Sequence, residues 1–243
     1  MKENIQIHIG TSGWNYKHWK GHFYPEGLSP SKWLEFYVKH LRTVEINTSF
    51  YNLLQKNTFE KWYHNVPVDF IFSIKASRFI THMKKLKESE SALKRFLEPI
   101  VGLKEKLGII LFQLPPYWHV NLQRLNDFLS QLPNRYRFAF EFRDDSWWQE
   151  ETYQLLKKYN AAFCIFDLAG TQSPEEVTAD FIYIRLHGPG DAYQGDYDIQ
   201  TLAEWAETFN VWRKKVREIY CYFDNDERAF AVKNAVELQK MLI

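Results

Sequence analysis

Three short stretches of the chain set polar or charged side chains two residues apart: Glu141-Phe142-Arg143, Arg185-Leu186-His187 and Glu45-Ile46-Asn47. In extended backbone that spacing puts both members on one face. A carboxylate crowded by cations stays ionised and can accept a proton, and imidazole is the side chain whose ordinary range lies near neutrality. Glu141 and His187, joined by Asp224, are therefore the candidate proton-transfer groups. Lys75, Arg143 and Arg185 are candidate holders of a phosphate or carboxylate, since Arg offers a planar bidentate fork and Lys a point charge. Glu45, Asn47 and Gln113 would complete a polar lining. Trp14 and Trp147, each just beyond an extended run, would stand at its rim. The chemistry implied is acid and base work on a small polar ligand, with an anion favoured.

Side chains this far apart in sequence need a scaffold, and the alternation of the chain supplies one. Short β-rich runs occur at Ile5–Gly10, Thr43–Ser49, Phe70–Lys75, Ile109–Leu114, Phe138–Arg143, Phe163–Asp167, Phe181–His187 and Ile219–Asp224. Helical patterns follow most of them, at Pro30–Leu41, Thr58–Asn65, Glu90–Lys106, Leu122–Leu132, Gln149–Tyr159, Leu202–Val216 and Ala229–Leu242; the segment after the sixth run is short and weak. Repeated βα units imply parallel strands. An open parallel sheet covered on both faces would read as continuous apolar runs. These strands instead alternate: Phe138, Phe140 and Phe142 oppose Ala139, Glu141 and Arg143, and Ile182, Ile184 and Leu186 oppose Tyr183, Arg185 and His187. The expected fold is therefore α/β, a TIM-type (β/α)8 barrel with apolar faces toward the helices and polar faces inward, formed as a single domain over residues 1–243. In such a barrel the strand ends carrying Lys75, Gln113, Glu141, Arg143, Asp167, Arg185, His187 and Asp224 line the C-terminal mouth, where they are expected to meet. A buried charge network that merely fills the barrel is the competing reading for any one of them.

Composition narrows the partners. The 31 basic and 30 acidic side chains leave a formal charge of +1, so no net field draws the chain to polyanions. A nucleic-acid partner is not favoured, and the basic clusters at Lys84, Lys85 and Lys87 and at Arg213, Lys214, Lys215 and Arg217 read as solvated helix faces. No apolar run reaches spanning length and the N-terminus lacks a signal-peptide pattern, so a cytoplasmic protein without a membrane partner is expected. Cys164 and Cys221 lie in strand-like runs and are expected to be buried toward the helices as free thiols. Phosphate-loop, dinucleotide, zincin and nucleophile-elbow motifs are absent, no cofactor is specified, and no metal ligands are assigned; His18 and His22 alone make a weak pair. Two alternatives stand beside the acid–base enzyme. One is a metal-assisted phosphodiesterase or nuclease using Glu45, Glu141, Asp167, His187 and Asp224, and the other a non-catalytic small-molecule binding module.

The order Gly10-Thr11-Ser12-Gly13-Trp14, Phe23-Tyr24-Pro25, Glu45-Ile46-Asn47-Thr48-Ser49-Phe50-Tyr51, Phe72-Ser73-Ile74-Lys75-Ala76, Thr81-His82, Phe112-Gln113-Leu114-Pro115-Pro116, Glu141-Phe142-Arg143 with Trp147, and Arg185-Leu186-His187-Gly188 resembles the YecE-like family, domain of unknown function 72. The resemblance runs from about Ile7 to the last helix. It implies a TIM-type barrel and no particular reaction. Where the family pattern usually reads Phe-Asn-Asn, this chain has Phe223-Asp224-Asn225, which adds a carboxylate to the mouth.

Overall fold

Alternating β-branched and aromatic residues become strands where expected, with ends shifted by a few residues. The computed structural model describes residues 5–242. Its strands are β1 (Gln6–Thr11), β2 (Thr43–Ile46), β3 (Ile71–Lys75), β4 (Leu107–Gln113), β5 (Arg137–Glu141), β6 (Ala162–Leu168), β7 (Thr171–Gln172), β8 (Phe181–Leu186) and β9 (Glu218–Phe223). The sheet runs β5-β4-β3-β2-β1-β9-β8-β6, and β5 also pairs with β6, so the eight principal strands close on themselves. The pairs β1–β2, β1–β9, β3–β4, β4–β5, β5–β6 and β8–β9 are parallel, as βα repetition requires. The fold is a TIM-type (β/α)8 barrel.

The helices are α1 (Trp33–Tyr37), α2 (Thr48–Tyr51), α3 (Lys56–His64), α4 (Glu90–Ile100), α5 (Leu122–Leu129), α6 (Glu150–Lys158), α7 (Ile199–Trp212) and α8 (Phe230–Met241). Two of them start on a capping side chain: Asn121 Oδ1 accepts from the Arg124 amide at 2.9 Å at the head of α5, and Asp198 Oδ1 accepts from the Thr201 amide at 2.7 Å at the head of α7. The weak segment after β6 holds no helix; β7 folds back antiparallel on β6 instead. The second strand stops at Ile46, because Thr48–Tyr51 turns into a helix, so the expected strand Thr43–Ser49 is too long. Between β3 and α4 the chain makes a π-turn at Phe79–Met83 that periodicity alone does not reveal.

The described chain clusters into two compact units. One comprises the described residues up to Glu45, Ile165–Ser173, and those from Asp180 onward. Here β8 and β9 pair in register, Arg185 level with Tyr222. Gly10 is required where β1 passes β2, since a Cβ there would lie 2.2 Å from the Thr43 carbonyl oxygen. The other comprises Ile46–Cys164 and Pro174–Ala179. In it the expected facing of β5 holds: Phe140 and Phe112 pack against Phe128 of α5, with ring centroids 6.2 and 5.0 Å away, and Phe142 stacks on Phe163 at 5.8 Å. Ala139 and Glu141 take the opposite face by the period of two. That face receives Cys164, whose Sγ lies 4.0 Å from Glu141 Oε2. The expectation that both thiols point to the helices is thus corrected for Cys164, which alternates with the helix-facing Phe163. Both cysteines are buried thiols outside any disulfide.

Candidate functional site

In the first unit, the chain builds a buried ionic network around Arg185. Glu45, at the centre of β2, is fully buried and accepts hydrogen bonds from Ser12 Oγ at 2.7 Å and Tyr183 OH at 2.6 Å. It also receives Arg185 Nε at 3.1 Å and Nη2 at 2.8 Å. Arg185 Nη2 reaches Asp224 Oδ2 at 2.9 Å, and Nη1 reaches His187 Nε2 at 3.3 Å. His187 Nδ1 lies 3.0 Å from the same Asp224 oxygen. Because guanidinium only donates, His187 Nε2 must present its lone pair, and the ring proton sits on Nδ1 facing Asp224. Burial, followed by the charge of Glu45, pushes the Tyr183 hydroxyl well above its ordinary range, so it remains a donor.

This geometry reassigns Arg185. All three guanidinium nitrogens are engaged and the side chain is 0% exposed, so the fork expected to grip a ligand is turned onto Glu45 and Asp224. The physical reason is burial: a cation on the interior face must be paired there. His187, also fully buried, spends both ring nitrogens on the network. A loop of glycines follows it. Gly188 has φ +112°, and a Cβ there would fall 2.0 Å from the Gln194 carbonyl oxygen; this turn brings Tyr193 edge-on to His187 at 5.3 Å between centroids. Tyr197 pins the loop, donating to Asp167 Oδ2 at 2.8 Å and accepting from the Gly188 amide at 3.0 Å. Burial raises the Asp167 carboxyl above its usual range.

In the second unit, three neighbouring strands end in Lys75, Gln113 and Glu141, the last two level in register. Arg143 folds back so that its Nε donates to Glu141 Oε1. Lys75 is half-buried, its Nζ standing 4.5 Å above the Phe50 ring, and His82 meets the same ring edge-on at 5.1 Å. The π-turn Phe79–Met83 delivers His82, whose Nδ1 lies 2.9 Å from Thr81 Oγ1. Burial and then the charges of Lys75, Arg78 and Arg143 push the imidazole down to about 4, against an opposing pull from Glu141. His82 is thus uncharged at neutral pH. Gln113 is 9% exposed, and its Oε1 is buried without a hydrogen-bond partner.

Asn47 is half-buried between β2 and α2, and Trp14 is half-buried after β1, its carbonyl accepting from Tyr24 OH at 2.5 Å. Trp147 is not at a rim. It is 0% exposed, stacks on Phe142 at 4.8 Å and donates Nε1 to the Trp118 carbonyl at 2.6 Å, because an indole beside an all-Phe face finds more apolar contact inward than outward. Residue typing missed His82, Ser12 and Tyr183. The pair Thr81-His82 was the only signal for the first, and the alternation of Tyr183 with Arg185 was the signal for the last. Among the described residues, no three His, Cys, Asp or Glu side chains are grouped so as to hold a metal ion, and no helix is long and apolar enough to cross a membrane.

Comparison with known proteins places these features in a family. A family model described as protein of unknown function DUF72 matches residues 8–243. UPF0759 protein YunF of Bacillus subtilis is 23% identical over 274 residues, covering 97% of this chain and 94% of the relative. UPF0759 protein YecE of Escherichia coli is 28% identical over 138 residues, covering 56% of this chain and 48% of the relative. Among solved structures, a DUF72 family protein from Thermotoga maritima superposes with a TM-score of 0.86 at 29% identity, covering 98% of this chain and 99% of that one. A DUF72 family protein from Enterococcus faecalis shares the fold with a TM-score of 0.84 at 22% identity, covering 98% and 95%. With the family model spanning nearly its whole length, the chain belongs to the DUF72 family.

Proposed function

We propose that this protein binds a small anion at the C-terminal ends of β3, β4 and β5 and performs acid–base chemistry on it. Lys75 and Arg143 neutralise the anion, uncharged His82 donates or accepts a hydrogen bond beside it, and Glu141 accepts a proton. The carrying observation is the concentration of these groups at adjacent strand ends: Lys75 and Glu141 close β3 and β5, Arg143 lies against Glu141, and Lys75, Arg78 and Arg143 all act on His82. Barrel enzymes use this end of the strands, since loops there vary without disturbing the core. In this reading the network of Glu45, Arg185, His187 and Asp224 holds the scaffold of its own unit, with Asp224, 8% exposed, as its most accessible member.

Titration with inorganic phosphate by calorimetry tests the proposal. Wild-type protein is expected to bind it, and Lys75→Met to bind it about five- to thirtyfold more weakly, the worth of one charge-assisted contact of roughly 1–2 kcal/mol. Equal affinity in the two proteins, or no binding by wild type, would remove the support for this site.

A further inference from the structure

Resting on that anion-binding reading, we infer that the ligand carries a hydroxyl close to its anionic group, as in a phosphorylated or carboxylated polyol, and that Gln113 reads this hydroxyl. Gln113 ends β4 on the face opposite Phe112, whose ring packs toward α5, so its side chain shares the face of its register partner Glu141. It is 9% exposed, and its amide oxygen is buried with no hydrogen-bond partner. Buried polar atoms are nearly always satisfied, so an acceptor left without a partner by the folded chain calls for a donor from outside it, a water or a ligand group. The cations beside it cannot take the place of that ligand group in selecting among anions. Lys75 and Arg143 only donate, so they recognise any phosphate or carboxylate alike, whereas Gln113 Oε1 only accepts. A fully ionised phosphate monoester offers acceptors alone, which can engage the cations and the Gln113 amide N–H groups but leave Oε1 without a donor. An added hydroxyl supplies that donor. The same logic underlies strong discrimination by sites built to bond a substrate hydroxyl, because an analogue lacking it leaves a buried group unpaired.

Two matched pairs of probes separate this from anion binding in general: glycerol 3-phosphate against n-propyl phosphate, and glycerate against propionate, each titrated at pH 8. Wild type is expected to bind the hydroxylated member of at least one pair about three- to tenfold more tightly, and the pair in which it does so identifies the anionic group as phosphate or carboxylate. Gln113→Leu should bring that pair within about twofold. Its melting temperature should equal or exceed that of wild type, because the substitution removes an unpartnered buried acceptor; Gln113→Ala serves as the second variant if Leu does not fit. If propyl phosphate or propionate binds but hydroxyls add nothing, or if their advantage survives Gln113→Leu, the role of Gln113 is wrong while the anion site stands. If none of the four binds, both fall.

Discussion

Removing Arg185 should damage folding far more than any surface substitution. The guanidinium contacts Glu45 at 2.8 and 3.1 Å, Asp224 at 2.9 Å and His187 at 3.3 Å, and Arg185, Glu45 and His187 are fully buried. Arg185→Ala strands the Glu45 carboxylate in the interior with only the Ser12 and Tyr183 hydroxyls for compensation. Breaking one partner out of a buried pair costs about 3–5 kcal/mol, and the two hydroxyl bonds that survive argue for the lower half of that range. A chain of this length loses about 2–4 °C per kcal/mol, so the melting temperature should fall by roughly 6–16 °C. Urea denaturation followed by circular dichroism measures the loss directly. Replacing both charges together, as Glu45→Gln with Arg185→Met, should recover at least half of it, since a missing pair costs less than a widowed charge. A loss below about 1 kcal/mol for Arg185→Ala would refute the closed network and return Arg185 to the ligand.

His82, held down to about 4 in the folded chain against about 6.5 when unfolded, takes up its proton first in the unfolded state; the protein should therefore lose stability as pH falls from about 6.5 to about 4. Discounted for partial exposure, the loss is about 1–2 kcal/mol and should shrink in His82→Gln, whereas an imidazole titrating near 6.5 by NMR would contradict it. Trp147→Phe should cost about 1–3 kcal/mol by orphaning the Trp118 carbonyl, with little change in phosphate affinity; a selective loss of affinity at wild-type stability would restore Trp147 to a ligand-contacting role. Cys164 and Cys221 should resist thiol reagents until the protein is denatured, because both are buried and burial pushes the Cys221 thiol well up; fast labelling of native protein would contradict the packing.

The fold was legible because its signal is local. Phe138, Phe140 and Phe142 on one parity and Glu141 on the other declare the facing of β5 within five residues, and the packing of Phe140 on Phe128 agrees. For the candidate site residues, sequence gives the side-chain type but not the partner that the fold brings to it. Arg143 and Arg185 look alike in sequence, each two residues from a proton-transfer candidate, yet Arg185 is claimed by Glu45 from a strand 140 positions away in the chain. No local pattern reports such a partner. Trp147 failed for the same reason, since its place beneath Trp118 depends on a loop that only the folded chain brings to it. Cys164 departs from expectation because the sixth strand, Ala-Phe-Cys-Ile-Phe-Asp-Leu, is apolar on both parities over its first five residues, and its one charge, Asp167, falls on the parity of Phe163 rather than of Cys164. His82 lies in a π-turn, whose i→i+5 hydrogen bonding matches neither strand nor α-helix templates.

The anion site itself is tested most directly by seeing where an anion lodges. Crystals soaked in tungstate, a heavy tetrahedral dianion, would reveal it by anomalous scattering. A peak is expected within hydrogen-bonding distance of Lys75 Nζ and of Arg143 or His82, at the C-terminal ends of β3 and β5. A peak confined to other residues, or the absence of any peak beside Lys75, would contradict it.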